Sequence, residues 1–266
     1  MTLPSISPPS ARLRSNSLRS KLQTQNFVLG TFLQIPSPAV VELLGLAGFD
    51  FVVVDCEHGP ITVQGTENLI GAALSSGISV VVRPPVCDPP AISQPLDRGA
   101  AGVQVPQIST PAMAHLMVHS GKYHPAGMRG LQPYVRSASY RAYGTPEYLA
   151  YSNQETVLVA QVEGTEGIAN LESILQVEGW DVAFVGPYDL SQSLGIPAQV
   201  THPRVQEAMA SAVRLAAKTG KRIGTYCDDA ETAIRYREIG VSYLTVSIDS
   251  YFLLSGARAV VTKLRP

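Results

Sequence analysis

Cysteine is scarce in this chain. Cys56, Cys87 and Cys227 are far apart, odd in number and form no CxxC pair. That excludes a disulfide framework and suits a reducing, cytoplasmic setting. Charge is sparse as well, at 15% of residues with a net charge of -1. Such a balance provides no basic surface for nucleic acid or for an anionic membrane. No apolar run approaches the roughly 20 residues of a membrane span. A Gly-rich phosphate turn is missing too. After the first apolar run stands Gln34-Ile35-Pro36-Ser37-Pro38, which argues against a doubly wound dinucleotide-binding fold.

Acidic residues are absent until Glu42, whereas Arg12, Arg14, Arg19 and Lys21 precede it among many serines. A mitochondrial transit peptide has this composition. So does a disordered tail over residues 1–11 followed by a short basic helix, residues 12–25, that plugs the bottom of a barrel. Leu13, Leu18 and Leu22 form a packing stripe, which favours the helix.

What the chain does have is apolar residues, 45% of 266. Eight short β-branched runs recur at 27–33, 49–55, 78–83, 102–106, 157–163, 182–185, 222–226 and 243–248. Helix-like segments at 39–47, 65–75, 203–219, 230–239 and 251–264 separate several of them. Near-continuous apolar strands alternating with helices indicate a parallel sheet covered on its faces. Eight such units in one domain of about 250 residues predict an α/β fold, a single (β/α)₈ TIM barrel spanning 12–266. Residues 127–153 read as a long βα connection and hence as an active-site loop.

Polar residues accumulate where the strands end, which in a barrel is the catalytic face. Strand 2 runs into Asp55-Cys56-Glu57-His58-Gly59, strand 3 into Arg83-Pro84-Pro85, strand 5 into Gln161-Val162-Glu163, and strand 6 into Gly186-Pro187-Tyr188-Asp189. Glu163 and Asp189, on adjacent strands, suit a hard divalent cation. The alternatives are an ion pair with Arg83, or a helix cap at Asp189; the pairing of two carboxylates on neighbouring strands favours the metal. Arg83 is suited to clamp a carboxylate, to stabilise an enolate oxygen, or to make a structural salt bridge. His58, beside Glu57 and Asp55, is a candidate general base oriented by a carboxylate. The backbone around Tyr188 offers N–H groups to a substrate carboxylate. His115, His119 and His202 lie in surface helices and receive no role, and Cys56, Cys87 and Trp180 read as packing.

From about Gly30 onward the motifs, taken in order, resemble the HpcH/HpaI family of class II pyruvate aldolases. The carriers are Gly45-Leu46-Ala47-Gly48-Phe49-Asp50, Asp55-Cys56-Glu57-His58-Gly59 and Val82-Arg83-Pro84-Pro85. They continue with Leu96-Asp97-Arg98-Gly99-Ala100, Pro125-Ala126-Gly127-Met128-Arg129-Gly130, Gln161-Val162-Glu163 and Gly186-Pro187-Tyr188-Asp189-Leu190-Ser191. The resemblance implies a lyase that makes or breaks the C3–C4 bond of a 4-hydroxy-2-oxo acid through a metal-bound enolate. Glu163 and Asp189 would ligate Mg²⁺, Mn²⁺ or Co²⁺, and Gln161 would touch pyruvate or the metal's water shell. Arg83 would bind the keto or enolate oxygen. His58, with Asp55 behind it, would move the proton through a water. Backbone at Tyr188 and Asp189 would hold the pyruvate carboxylate, and Asp97 and Arg129 would lie at the mouth or a subunit contact. Relatives form hexamers, trimers of dimers, often by exchanging the last helix.

Departures fall in the acceptor half. Ser93-Gln94-Pro95 replaces more polar residues, and Pro95 would start or kink its helix. Residues 131–143 are rich in tyrosine, and strand 1 ends in Phe32-Leu33-Gln34 where relatives carry tryptophan. The aldehyde partner is therefore open. An oxaloacetate decarboxylase, or a macrophomate-synthase-like biosynthetic enzyme, would use the same enolate. A CoA-ester lyase would want lysines for the CoA phosphates, which the loops lack. A non-catalytic barrel would be expected to lose the base, the arginine or the acidic pair.

Overall fold

Valine-rich strands with no polar face are stable only where both faces are buried, and a closed barrel wrapped in helices provides that. The computed structural model describes residues 16–142 and 144–265. Its strands are β1 Val28–Leu33, β2 Phe51–Asp55, β3 Ser79–Arg83, β4 Gly102–Val105, β5 Val157–Val162, β6 Val182–Val185, β7 Arg222–Cys227 and β8 Tyr243–Ile248. Each pairs in parallel with the next, and β8 closes on β1. The predicted (β/α)₈ barrel is the observed fold.

The helices are α1 Ser17–Thr24, α2 Pro38–Leu46, α3 Thr66–Ser76, α4 Pro89–Asp97, α5 Pro111–Gly121, α6 Thr145–Glu155, α7 Gly164–Ala169, α8 Leu171–Leu175, α9 Pro187–Ser193, α10 Pro203–Ala216, α11 Ala230–Glu238 and α12 Asp249–Leu264. A 3₁₀ turn, Arg136–Arg141, precedes α6.

The two-residue period of a strand sorts side chains between barrel and helices. Phe51, Val53, Val81, Val157, Val159 and Phe184 share the inner cluster, while Val52, Val54, Val80 and Val82 pack outward beneath α2 and α3. Continuing the inward series one step gives Asp55, Arg83 and Gln161 at the top. The barrel's waist is filled by aromatic rings. Phe51 stacks on Tyr243 at 4.3 Å, and Phe184 meets Tyr243 edge-on at 6.2 Å. Gly30 is required there, because a Cβ would lie 2.4 Å from the Phe51 ring.

The bottom is closed by α1, as the leucine stripe predicts. Leu18 and Leu22 are buried in the inner cluster. Asn16 caps the helix by accepting from the N–H groups of Leu18 and Arg19. Arg19 pairs with Asp181, and Lys21 with Asp50 at 2.6 Å. Each aspartate also accepts a strand N–H, from Leu158 and Leu29 respectively. Leu13 and the predicted tail over 1–11 lie outside the described residues.

Two expectations need correction. Residues 127–153 do not follow a strand. They run from the end of α5 through the 3₁₀ turn and α6 to β5, so they begin at the bottom of the barrel and form no βα active-site loop. Arg136 instead reaches the outside of α3, donating to the Glu67 carbonyl at 3.1 Å. Pro95 does not start its helix either. Pro89 does so, behind an Asp88 cap, and Pro95 is buried within α4.

The last helix stands apart. Asp249 is buried and accepts the N–H groups of Gln34 and Ile35, yet every residue from 250 to 265 is exposed.

Candidate active site

The strand tops assemble three groups of side chains. Arg83 is the first. Asp55 and Arg83 are direct partners in the β2–β3 register, so their inward side chains meet. The Asp55 carboxylate accepts from Arg83 Nε at 3.0 Å and lies 2.8 Å from Nη2. Gln34 Nε2 donates to the same carboxylate at 2.9 Å, and the backbone N–H groups of Glu57 and His58 add 3.1 Å bonds. Burial alone would raise this carboxyl, but Arg83, Gln34 and the His58 N–H hold it below its ordinary value. Beneath the guanidinium lies the Phe32 ring, 4.7 Å away. Arg83 is thus fixed on one edge and one face, with Nη1 3.3 Å from Glu57 Oε2. This two-point hold is what a planar guanidinium allows and an ammonium does not.

His58 is placed differently from expectation. The Asp55 carboxylate is spent on Arg83, Gln34 and the turn, and it does not reach the imidazole. Among the described residues the ring's charged neighbour is Glu57, with Nε2 to Oε2 at 3.9 Å. Burial pushes the Glu57 carboxyl up, against the pull of Arg83 and His58.

The carboxylate pair comes next. Glu163 follows β5, and Asp189 lies in the first turn of α9, whose N-cap is Gly186. Asp189 is therefore not the cap. A Cβ at Gly186 would sit 3.2 Å from Glu163 Oε2 and 3.7 Å from Asp189 Oδ2, so both carboxylates flank this one glycine. Glu163 accepts from the Gln107 N–H at 2.9 Å and from Gln161 Nε2 at 2.7 Å. Burial pushes its carboxyl up to about 7; the Gln161 bond opposes this and the Asp189 charge adds to it. The half-buried Glu163 and the exposed Asp189 form a donor set suited to a hard cation that keeps water and substrate oxygens. Among the described residues no cluster of three or more His, Cys, Asp or Glu side chains forms a fuller cage.

Gln161 is the third element, and it is oriented from below. Its Oε1 accepts from Gln104 Nε2 at 2.7 Å, and Tyr243 Oη approaches Gln104 at 3.5 Å. Sequence reading missed Gln104 and Gln34. The signal for Gln104 is a lone polar residue inside the apolar run Gly102-Val103-Gln104-Val105.

The remaining candidates lie elsewhere. The Tyr188 hydroxyl donates to Asp228 at 2.8 Å, so only its backbone is available to the pair. Asp97 and Arg129 bind each other at 2.5 Å at the C-terminal end of α4, the bottom of the barrel, and so do not line this chain's own mouth. Burial pushes the thiols of Cys56 and Cys87 up to about 12 and about 11, in keeping with packing. The exposed His115 and His119 approach no site.

The sequence pattern described as HpcH/HpaI aldolase/citrate lyase matches residues 28–255. The hydroxypyruvate/pyruvate aldolase of Deinococcus radiodurans is 35% identical over 94% of this chain and 90% of its own length. The 4-hydroxy-2-oxo-heptane-1,7-dioate aldolase of Salmonella dublin is 34% identical over 93% of this chain and 94% of its own. The crystal structure of the HpcH/HpaI aldolase from Desulfitobacterium hafniense matches with a TM-score of 0.89 at 31% identity, covering 93% of this chain and 96% of that one. On this agreement of sequence and architecture, the chain belongs to the HpcH/HpaI aldolase/citrate lyase family of carbon–carbon lyases.

Proposed function

We propose that this protein is a divalent-metal-dependent aldolase that cleaves or forms the C3–C4 bond of a 4-hydroxy-2-oxo acid, yielding pyruvate and an aldehyde. The observation that carries this reading is the pairing of Glu163 and Asp189 around Gly186, at the strand ends that also hold Arg83. The relatives named above as aldolases support it.

Glu163 and Asp189 would hold Mg²⁺, Mn²⁺ or Co²⁺. When bound, such an ion supplies Lewis-acid polarisation of the keto acid. The chain's own residues do the rest. Nη1 of Arg83 meets the keto oxygen and stabilises the charge that develops there, which is preorganised electrostatic catalysis. The N–H groups of Tyr188 and Asp189 receive the carboxylate, and Gln161 orients Glu163. In cleavage His58, through a water, takes the proton of the 4-hydroxyl. The C3–C4 electron pair moves into the keto group, and the aldehyde departs. The proton returns to C3 and gives pyruvate.

The test is pyruvate release by EDTA-stripped and metal-reconstituted protein, from several 4-hydroxy-2-oxo acids and from oxaloacetate, whose decarboxylation reaches the same enolate. Metal-dependent release from the hydroxy acids, lost in a Glu163→Ala, Asp189→Ala variant, is the expected result. Release from oxaloacetate alone would reassign the protein as a decarboxylase or ring-forming enzyme. No metal-dependent turnover at all would overturn the reading. We also propose an oligomer in which α12 packs on another copy of the chain, supported by its exposed apolar residues.

A further inference from the structure

Gln104 is fully buried in the middle of β4. Its neighbours Val103 and Val105 pack outward against the helices, so Gln104 projects into the barrel. A buried side-chain amide costs free energy unless its groups are paired, and valine or leucine would fill this place without that cost. The amide makes two contacts whose direction matters. Its Nε2 donates to Gln161 Oε1 at 2.7 Å, and its Oε1 is approached by the Tyr243 hydroxyl at 3.5 Å.

The register explains why these three meet. Gln104 pairs with Val159 of β5, one inward position below Gln161. Tyr243 comes from β8, on the opposite wall of the eight-stranded barrel, and reaches Gln104 across the interior. Phe51 stacks on its ring and Phe184 meets the edge. A Cβ at Gly224 would stand 2.8 Å from Tyr243 Cδ1, so that glycine makes room for the ring. Packing thus delivers the hydroxyl.

The chain of bonds has one workable direction. Gln161 Nε2 lies 2.7 Å from Glu163 Oε2. Were the Gln161 amide turned over, its oxygen would face an ionised carboxylate oxygen with no proton between them. An amide's orientation is assigned from such constraints. With Nε2 on Glu163, Gln161 Oε1 faces Gln104 and needs a donor. Gln104 therefore presents Nε2 and keeps Oε1 for the tyrosine O–H. Every donor points the same way, from Tyr243 through Gln104 and Gln161 to Glu163. Two buried amides paired only for structure would be served by either direction, and the carboxylate end selects this one.

We propose that Gln104 is a positioning residue for the metal site: by donating to Gln161 Oε1 it keeps the Gln161 N–H on Glu163, and Tyr243 holds Gln104 in the same sense. This inference rests on the metal-dependent reading and deepens it. Gln104 touches neither carboxylate and acts through Gln161. The relay pins one oxygen of Glu163, while the Gln107 N–H pins the other at 2.9 Å. A ligating carboxylate held at both oxygens keeps its remaining lone pairs in place for a cation. Without Gln104 the Gln161 amide is free to turn and set its oxygen against Glu163, which loosens the ligand.

The experiment reads Mn²⁺ affinity of EDTA-stripped full-length protein by titration calorimetry, with the melting temperature of the same samples. Wild type, Gln104→Met, Tyr243→Phe, Gln161→Met and the Gln104→Met, Gln161→Met double variant are compared. Gln104→Met keeps the length of the side chain and removes its polar end. It is expected to weaken Mn²⁺ binding by roughly 10-fold, the lower end of what outer partners of metal ligands contribute. Tyr243→Phe deletes one distant hydroxyl and is expected to weaken binding by roughly 3-fold. In the Gln161→Met background the relay is already cut, so Gln104→Met adds almost nothing, because residues that act as a unit are non-additive.

Wild-type affinity in Gln104→Met overturns the proposal, whatever happens to its melting temperature. An equal further loss in the double variant overturns it too, since a general loosening of the barrel gives that result and a relay through Gln161 does not. If Gln104→Met fails to fold, Tyr243→Phe decides, measured in the wild-type and Gln161→Met backgrounds. A wild type that binds no Mn²⁺ would overturn the metal-dependent reading itself. A wild type that binds Mn²⁺ and releases pyruvate, with an unaffected Gln104→Met, defeats this inference alone.

Discussion

Glu163 has its carboxyl raised from an ordinary 4.5 to about 7, with burial as the leading cause. Folding therefore makes this group hold its proton more tightly. Between about pH 4.5 and 7 the folded chain binds more protons than the unfolded one, so stability falls as pH rises across that window. Below the window both states are protonated, and the difference disappears. The expected outcome, in EDTA-treated protein, is a melting temperature that declines from pH 5 to pH 7 by more in wild type than in Glu163→Gln. Calorimetry of the pair checks this, and the difference cancels other titrating groups. Adding Mn²⁺ should restore the wild type most strongly at the upper end, where metal need not displace a proton. A pair of melting curves that stay parallel from pH 5 to 8 would show that Glu163 is not desolvated as described. Residue-scale legibility was uneven for a physical reason. Asp55, Arg83, Gln161 and Glu163 announce themselves at the ends of apolar strands, and Asp189 in the helical turn that follows one. Their partners do not. Whether Asp55 turns to His58 or to Arg83 depends on the β2–β3 register and on a turn whose N–H groups claim the remaining lone pairs. Gln34 joins the same carboxylate from β1, a contact set by barrel closure and not by spacing in the chain.

At the scale of elements, strands read clearly because burial on both faces leaves uninterrupted valine. Helix α1 reads from its leucines despite a polar composition. Its contribution is packing, since Leu18 is fully buried and faces the aromatic waist from below. Leu18→Ala is therefore expected to cost about 2–5 kcal/mol, the range for a large-to-small change in a core. Urea unfolding measures it, and kcat per folded molecule should stay close to wild type, because the plug lies at the opposite end from the strand-end carboxylates. A cost under about 0.5 kcal/mol would mean that α1 is a surface ornament and not a plug. The segment from 127 to 153 was misread for a different reason. Its Gly, Pro and Tyr content signals a long irregular connection, but composition does not say whether that connection follows a strand or a helix. Only the strength of α5, capped by Thr110 with Pro111 at its first position, moves the segment to the bottom of the barrel.

At the scale of the molecule, the barrel lacks cover along one seam. Outward residues on most strands are fully buried by helices, but Leu29 of β1 and Val246 of β8 are only partly so. The helix that follows β8 is the natural cover, yet α12 meets the barrel only near its start, where Phe252 approaches Phe49 at 6.0 Å. Beyond that turn Leu253, Val260, Val261 and Leu264 are 68%, 59%, 54% and 77% exposed. They recur at helical spacing and form one apolar stripe. Exposed stripes of this size mark contact surfaces. Leu43 and Leu46 of α2, at 63% and 83% exposure, present apolar surface on a neighbouring helix. A second copy would satisfy both needs at once, because its own α12 would carry the same stripe and a two-fold exchange is self-complementary. Light scattering with size exclusion should thus give a mass that is a multiple of 28.4 kDa. Val260→Asp with Leu264→Asp should shift the protein toward 28.4 kDa and lower its melting temperature. Because α12 starts at Asp249, which accepts the N–H groups of Gln34 and Ile35, and Gln34 in turn steadies Asp55, dissociation should also weaken the hold on Arg83 and raise KM. A wild type that runs as a single chain at micromolar concentration, with an unaltered double variant, would show that α12 needs no partner.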